Sequence, residues 1–85
     1  MKYIVTKSET EQLEIFIFPE RYHHSDMADM VCNLKSFVNG NPNNWERHYK
    51  EPVSAGFTNG KQCSGRSETL NLDSRGRLDE MLIEQ

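Results

Sequence analysis

Several features that would assign this sequence to a functional class are scarce or missing. Cysteine occurs only twice in 85 residues, at Cys32 and Cys63, and the pair forms no Cys-x-x-Cys motif. A secreted domain of this size usually carries more cysteines, so two reduced thiols are expected. No apolar run approaches the roughly 18 residues of a membrane span, and the run after Met1 is too short for a signal peptide. We therefore expect a cytoplasmic protein that does not contact a membrane.

An excess of positive charge is also missing. Ten Lys and Arg stand against thirteen Asp and Glu, which gives a net charge of −3. Binding to nucleic acid depends first on clustered Lys and Arg that neutralise phosphates. The composition therefore does not favour a nucleic-acid-binding protein, although a local basic patch is still compatible with it.

Apolar residues are less frequent than in most globular domains. They make up 35% of the chain, against roughly 45–50% on a count that includes glycine. A chain of this length has room for one domain, residues 1–85, with a modest core. A thin core favours a homodimer in which a second copy covers one face.

Two short strands are predicted at the start of the chain. Lys2–Lys7 is β-branched and aromatic, and Leu13–Phe18, "LEIFIF", is the strongest strand pattern in the sequence. Both faces of the second strand are largely apolar, so we expect it to lie centrally or to meet a partner. Pro19 ends it, because proline cannot donate to the ladder. The two strands are expected to pair as an antiparallel hairpin.

A helix is predicted over Ser25–Val38, because apolar residues recur there at spacings of three and four. Ser25 suits the N-cap, and Gly40 suits the position after the helix. A loop, "NGNPNN", follows at Asn39–Asn44. The next segment, "WERHYK", is expected to form a short helical turn that Pro52 closes.

The second half predicts another hairpin and a final helix. A three-residue loop with Gly60 in the left-handed region would pair Ala55 with Cys63 and Val53 with Gly65. The second strand is expected to continue through Thr69–Leu72, and Asp73 or Ser74 to cap the last helix. The expected fold is a two-layer α+β domain in the order ββαββα, with an antiparallel sheet of about four strands and both helices on one face.

No catalytic motif or metal site is predicted. Gly65-Arg66-Ser67-Glu68-Thr69 misses the second glycine of a Gly-x-Ser-x-Gly nucleophile elbow, and the residues after Ser67 read as strand. The available metal ligands (His23, His24, His48, Cys32 and Cys63) lack the spacing of a structural zinc site. We expect no enzyme activity, no cofactor and no metal.

Two groups of residues are candidates for binding. Ser74, Arg75 and Arg77 fall where the last helix begins, so they could hold an anion, or the arginines could pair with Glu68, Asp79 or Glu80. The partner-binding candidates are the second face of "LEIFIF" and an aromatic segment, and we expect them to contact another protein or a second copy of the chain. These residues are Phe16, Phe18, Trp45, Arg47 and Tyr49.

The C-terminal third, "CSGRSETLNLDSRGRLDEMLIEQ", resembles the tails of short uncharacterised reading frames of tailed bacteriophages and enterobacterial prophages. The residues that carry the resemblance are Gly65, Ser67, Thr69, Leu70, Ser74, Arg75, Asp79 and Leu82. The resemblance implies a phage or prophage origin in a bacterial cytoplasm, and it carries no catalytic residues with it.

The sequence thus favours a non-enzymatic accessory protein that acts by binding another protein. The alternative is a nucleic-acid-binding module. It would use Arg66, Arg75 and Arg77, with Lys61 and the Trp45–Tyr49 segment.

Overall fold

The β-branched and aromatic residues at the start of the chain form the predicted hairpin. The structure is a computed structural model that describes residues 1–37 and 45–85, and only the backbone of residues 33–37 and 45–49. Strand β1 (Lys2–Ser8) pairs antiparallel with β2 (Leu13–Phe18). Glu11 turns the chain between them at a positive φ of 64°. The predicted hairpin is confirmed.

The predicted helix is present but shorter than expected. Helix α1 spans His24–Cys32, and the next five residues form strand β3 (Asn33–Phe37). Strand β3 pairs antiparallel with the start of β4 (Trp45–Thr58). Backbone pairing with the start of the next strand thus overrides the helical spacing that continues to Val38. Val38 itself and the predicted loop at Asn39–Asn44 lie outside the described residues.

Strand β4 replaces two predicted elements. "WERHYK" is the first part of β4 rather than a helical turn, and the strand runs on through Pro52. The pairing of β1 with β4 shifts register by one residue at this point, between Val5 and Thr6. Val53 is the extra residue of this β-bulge, and Pro52 precedes it opposite Thr6. Bulges are among the few places in a sheet where proline is found.

The second hairpin has a longer loop than predicted. Strand β5 (Cys63–Ser64) pairs with the end of β4, Thr58 opposite Cys63 and Phe57 opposite Ser64. The predicted pairing of Ala55 with Cys63 is therefore wrong. Asn59 explains the difference, because its Oδ1 accepts the backbone N–H groups of Lys61 and Gln62 and so stabilises a four-residue turn. Gly60 has the expected positive φ, 93°.

The last segment is also rearranged. Strands β6 (Arg66–Ser67) and β7 (Leu72–Asp73) form a small separate sheet around a turn, instead of one continuous strand. Helix α2 (Arg77–Ile83) begins after Gly76, three residues later than an Asp73 cap would place it. The main sheet has the order β2-β1-β4-β3, with β5 beside β4.

The α+β class and the antiparallel four-strand path are confirmed. The two helices, however, lie on opposite faces of the sheet, where the sequence predicted one shared face. Ile4, Phe18 and Ala55 pack with α1, whereas Tyr3 and Val5 pack with Leu82 and Ile83 of α2 and their neighbours. Strand β1, rather than β2, is thus the strand buried on both faces, since Tyr3, Ile4 and Val5 have no exposed surface.

Candidate functional site

A buried carboxylate joins α2 to the sheet. Asp79 has no exposed surface, and its two oxygens accept four hydrogen bonds. Oδ1 accepts from Ser54 Oγ at 2.9 Å and from Arg75 Nε at 2.8 Å. Oδ2 accepts from the Tyr3 hydroxyl at 2.6 Å and from the Arg75 backbone N–H at 2.9 Å. The carboxylate is therefore fully satisfied by β1, β4 and the segment before α2.

The Tyr3 hydroxyl has a second neighbour. It lies 2.6 Å from Ser74 Oγ as well as from Asp79 Oδ2. A phenol has one proton, so the carboxylate takes it and the Ser74 hydroxyl can donate to the phenol oxygen in return. Ser74 Oγ also accepts the Gly76 backbone N–H at 3.0 Å. Ser74 thereby holds the segment before α2, but the predicted N-cap at Asp73 or Ser74 is wrong, because Gly76 is the N-cap residue.

The network shifts the pKa of both acids at its centre. Burial and the hydrogen bond to Asp79 raise the pKa of Tyr3 far above its ordinary value, so Tyr3 is a neutral donor. Burial alone would raise the pKa of Asp79. The hydrogen bonds from Tyr3, Arg75 and Ser54 more than offset this effect, and the pKa of Asp79 lies below its ordinary value. A neutral phenol and an ionised carboxylate thus stabilise one another.

The arginines of the predicted anion site bind acids of this chain. Arg75 donates to Asp79, and the Arg77 guanidinium lies 2.7 Å from Glu84 and 3.8 Å from Glu80. Of the two interpretations that the sequence allowed, pairing with internal carboxylates is the one observed. Asp79 occupies the position beside Ser74 and Arg75 that an external anion would take. This network therefore fixes α2 on the sheet rather than forming a ligand site.

Acid should weaken the fold in two steps. Burial lowers the pKa of His24, whose ring lies beside the Gly56 carbonyl at 2.9 Å. The stability from neutral His24 is complete above its unfolded pKa of about 6.5 and is lost as the pH falls towards the lower folded-state pKa. The stability from ionised Asp79 is complete above about pH 3.9 and is lost as the pH falls below that.

Two variants separate the loss of stability assigned to His24 from the loss assigned to Asp79. We expect urea midpoints of the wild type to fall between pH 7 and 5 and again below pH 4. His24→Gln should remove most of the fall in the urea midpoint between pH 7 and 5, and Asp79→Asn most of the fall below pH 4. Each midpoint is compared with that of the same variant at pH 7. Parallel pH profiles for both variants and the wild type would contradict this assignment.

The predicted partner-binding residues do not form one exposed surface. Phe18 is only 4% exposed and packs in the core, edge-on to the His24 ring. Phe16 is half-buried, and the Lys50 ammonium lies 5.4 Å from its ring centroid. Trp45, Arg47 and Tyr49 belong to β4, and their side chains are outside the described part of the structure. Phe18 is therefore not available to a partner.

Two exposed apolar residues lie on the other face of the same strand. Leu13 is 37% exposed and Ile17 is 39% exposed. Both lie on β2, which, in the part of the chain that the structure describes, pairs with β1 on one side only and forms the edge of the main sheet. We call Leu13, Ile17 and the unpaired edge of β2 the β2 edge surface. The sequence indicated an apolar excess in this strand but not which face α1 covers.

The serine and the thiols that drew attention in the sequence are buried. Ser67 is 1% exposed, and its Oγ accepts the Leu70 backbone N–H in the turn after β6. Cys32 and Cys63 are free and lie in the cores on opposite faces of the sheet. Burial raises the pKa of both thiols. Among residues 1–32 and 50–85, whose side chains the structure describes, no three His, Cys, Asp or Glu side chains are grouped as metal ligands.

Comparisons with known proteins give no relative for this arrangement. No family model matches the chain, and no curated protein or solved structure is significantly similar to it. In the described part of the chain, no helix has the length and apolar character needed to span a membrane. The candidate function therefore depends on the chain's own surfaces.

Proposed function

We propose that this protein is a non-enzymatic accessory protein that acts by binding protein, and that its first partner is a second copy of itself. The observation that carries the proposal is the β2 edge surface, where Leu13 and Ile17 are exposed at an unpaired strand edge. Exposed apolar strand edges are surfaces that other strands pair with. The bacteriophage origin stays a prediction from the resemblance in the C-terminal third.

The edge has little charge to oppose pairing. Glu14 is the only charged residue of β2, and natural sheet edges often use such charges to keep other strands away. Here the Lys50 ammonium lies 3.1 Å from Glu14 Oε1, within the same chain. This ion pair neutralises the carboxylate. An approaching strand would therefore meet an edge with no net charge.

The β2 edge surface is also complementary to itself. A two-fold axis at Ile15 would pair β2 antiparallel with β2 of a second copy and place Leu13 of each chain opposite Ile17 of the other. Directly opposite residues of antiparallel strands lie on the same face. The four exposed apolar side chains would then cover one another across the axis. Such an isologous contact closes a dimer and leaves no β2 edge free for further addition.

Two variants test both the dimer and its register. Ile17→Lys should place an ammonium opposite Leu13 of the second copy and weaken dimerisation by at least about tenfold. The double variant Leu13→Glu/Ile17→Lys should recover dimerisation at low salt, because each introduced carboxylate then faces an introduced ammonium of the other chain. This recovery should be lost at high salt.

The measurement is molar mass by light scattering across a concentration series, at two salt concentrations. Met30→Lys is the matched control, because Met30 is exposed on α1 and lies away from β2. It should leave the dimer unchanged. A wild-type monomer at high concentration would overturn the proposal, and a dimer that survives Ile17→Lys would place the interface elsewhere.

A further inference from the structure

A cleft with a concentration of hydrogen-bond donors lies on the α1 side of the sheet. It has a volume of about 390 Å³, and the residues that matter for its chemistry are Lys2, His24, Phe57, Arg66 and Glu68. Lys2 and Phe57 are cross-strand neighbours on β1 and β4, while Arg66 begins β6. Two cations thus line one cleft in a chain whose net charge is −3. Glu68 in the lining and Asp73, which pairs with Arg66 at 3.3 Å, offset this charge, so the attraction for an anion comes from the N–H donors of Lys2 and Arg66 rather than from a net charge.

Lys2 and Arg66 each form hydrogen bonds that hold the side chain in place, and each has further N–H groups that these bonds do not use. The Lys2 ammonium donates one of its hydrogens to the Tyr22 carbonyl at 3.0 Å. The Arg66 guanidinium donates to Asp73 at 3.3 Å and to Asn71 at 2.6 Å. An ammonium has three N–H groups and a guanidinium has five. The remaining donors suit a ligand with several acceptor oxygens, as in a phosphate group.

An aromatic ring lies between these cations and the helix. Phe57 is 41% exposed although its ring is fixed from two sides. The His24 ring meets it edge-on, with centroids 5.8 Å apart. On another side, a Cβ added to Gly65 would lie 3.0 Å from Phe57 Cδ2, so glycine allows this close approach. A fixed and partly exposed ring is a suitable surface for stacking a planar group.

We propose that this cleft binds a phosphate monoester that carries a planar base, a ligand of the nucleoside monophosphate class. The phosphate is placed at Lys2 and Arg66, and the base lies against Phe57. Glu68, a carboxylate that lines the same cleft, is suited to accept a hydrogen bond from an exocyclic amino group. Bases with an amino group should therefore bind more tightly than uracil.

The test is a titration of the isotope-labelled protein followed by amide chemical shifts, with adenosine monophosphate, adenosine and inorganic phosphate as separate probes. We expect saturable binding of adenosine monophosphate with a Kd on the order of 0.1–1 mM. It should bind about tenfold more tightly than either adenosine or phosphate alone, because only the monophosphate engages both parts of the cleft. Uridine monophosphate should bind more weakly.

Arg66→Gln and Arg77→Gln form a matched pair. Each removes one positive charge, the first from the lining of the cleft and the second from outside it. Arg66→Gln should weaken adenosine monophosphate about tenfold, as expected for a lost charge-assisted hydrogen bond, and Arg77→Gln should not. Phe57→Leu should weaken the monophosphate but not inorganic phosphate. Thermal unfolding of each variant verifies that it is folded.

Three results would overturn the proposal. They are no saturation by adenosine monophosphate, equal affinity for inorganic phosphate, and equal losses in Arg66→Gln and Arg77→Gln. A DNA oligomer without terminal phosphates that competes as well as the mononucleotide would assign the cleft to single strands instead. None of these results depends on whether the chain forms a dimer.

Discussion

Asp79→Ala should lower the free energy of unfolding by about 3–5 kcal/mol, because it leaves the buried hydroxyls of Tyr3 and Ser54 without their shared acceptor, at about 1–3 kcal/mol for each unsatisfied group. The substitution leaves Arg75, Tyr3 and Ser54 without the acceptor that they share in the native structure. A domain of this size has a total stability on the order of 5–10 kcal/mol. We therefore expect a large downward shift of the urea midpoint, measured by circular dichroism.

Glu84→Ala is the matched control for this substitution. It removes a carboxylate from the end of the same helix, where Glu84 forms an exposed ion pair with Arg77. Exposed ion pairs contribute little to stability, so the midpoint should stay close to that of the wild type. Equal midpoints for Asp79→Ala and Glu84→Ala would contradict a stabilising role for the network.

Tyr3→Phe extends the test if Asp79→Ala does not fold. It removes one donor to Asp79 and keeps the ring in the core, where Tyr3 packs with Val5 and Cys63. The expected loss is about 1–2 kcal/mol, the usual effect of deleting one hydrogen bond to a charged group. A Tyr3→Phe variant as stable as the wild type would show that the network contributes nothing at this position.

The network also shows what the sequence could and could not predict. Pairing of Arg75 with Asp79 was one of the predicted alternatives, because the two residues are four positions apart. The complete burial of Asp79 was not predictable from that spacing. Its other donors come from Tyr3 and Ser54, which are remote in sequence and reach Asp79 only once β1 and β4 are paired.

The distinction between contacts close in sequence and contacts set by the whole sheet also explains which elements were predicted correctly. The hairpin of β1 and β2 depends on local alternation and a short turn, and it is confirmed. The end of α1 depends on β4, because the residues after Cys32 pair with Trp45–Tyr49. The face of β2 that α1 covers also depends on the register of the whole sheet. Phe18 was therefore predicted to bind a partner although it lies in the core.

Gly56→Ala should be the second most damaging single substitution considered, with a loss of about 2–3 kcal/mol, in the range of overpacked sites. A Cβ at this position would lie 2.5 Å from the Ser64 carbonyl oxygen and 3.3 Å from Ser74 Cβ. The first neighbour is backbone, so it cannot turn aside as a flexible side chain would. Strand β5 would have to move, and with it the segment that leads to α2.

Gly76→Ala separates this steric effect from backbone strain. Gly76 has a positive φ of 58°, but an added Cβ would have no atom within 4 Å. Its φ of 58° and ψ of −116° lie outside the left-handed helical region, in a conformation that suits glycine, so its cost should be backbone strain alone, about 2 kcal/mol. The two variants should therefore differ in structure as well as in urea midpoint. Amide shifts should change around Ser64 and Ser74 in Gly56→Ala and stay local in Gly76→Ala. Unchanged amide shifts around Ser64 and Ser74 in Gly56→Ala would show that the close approach of β4 and β5 does not limit this fold.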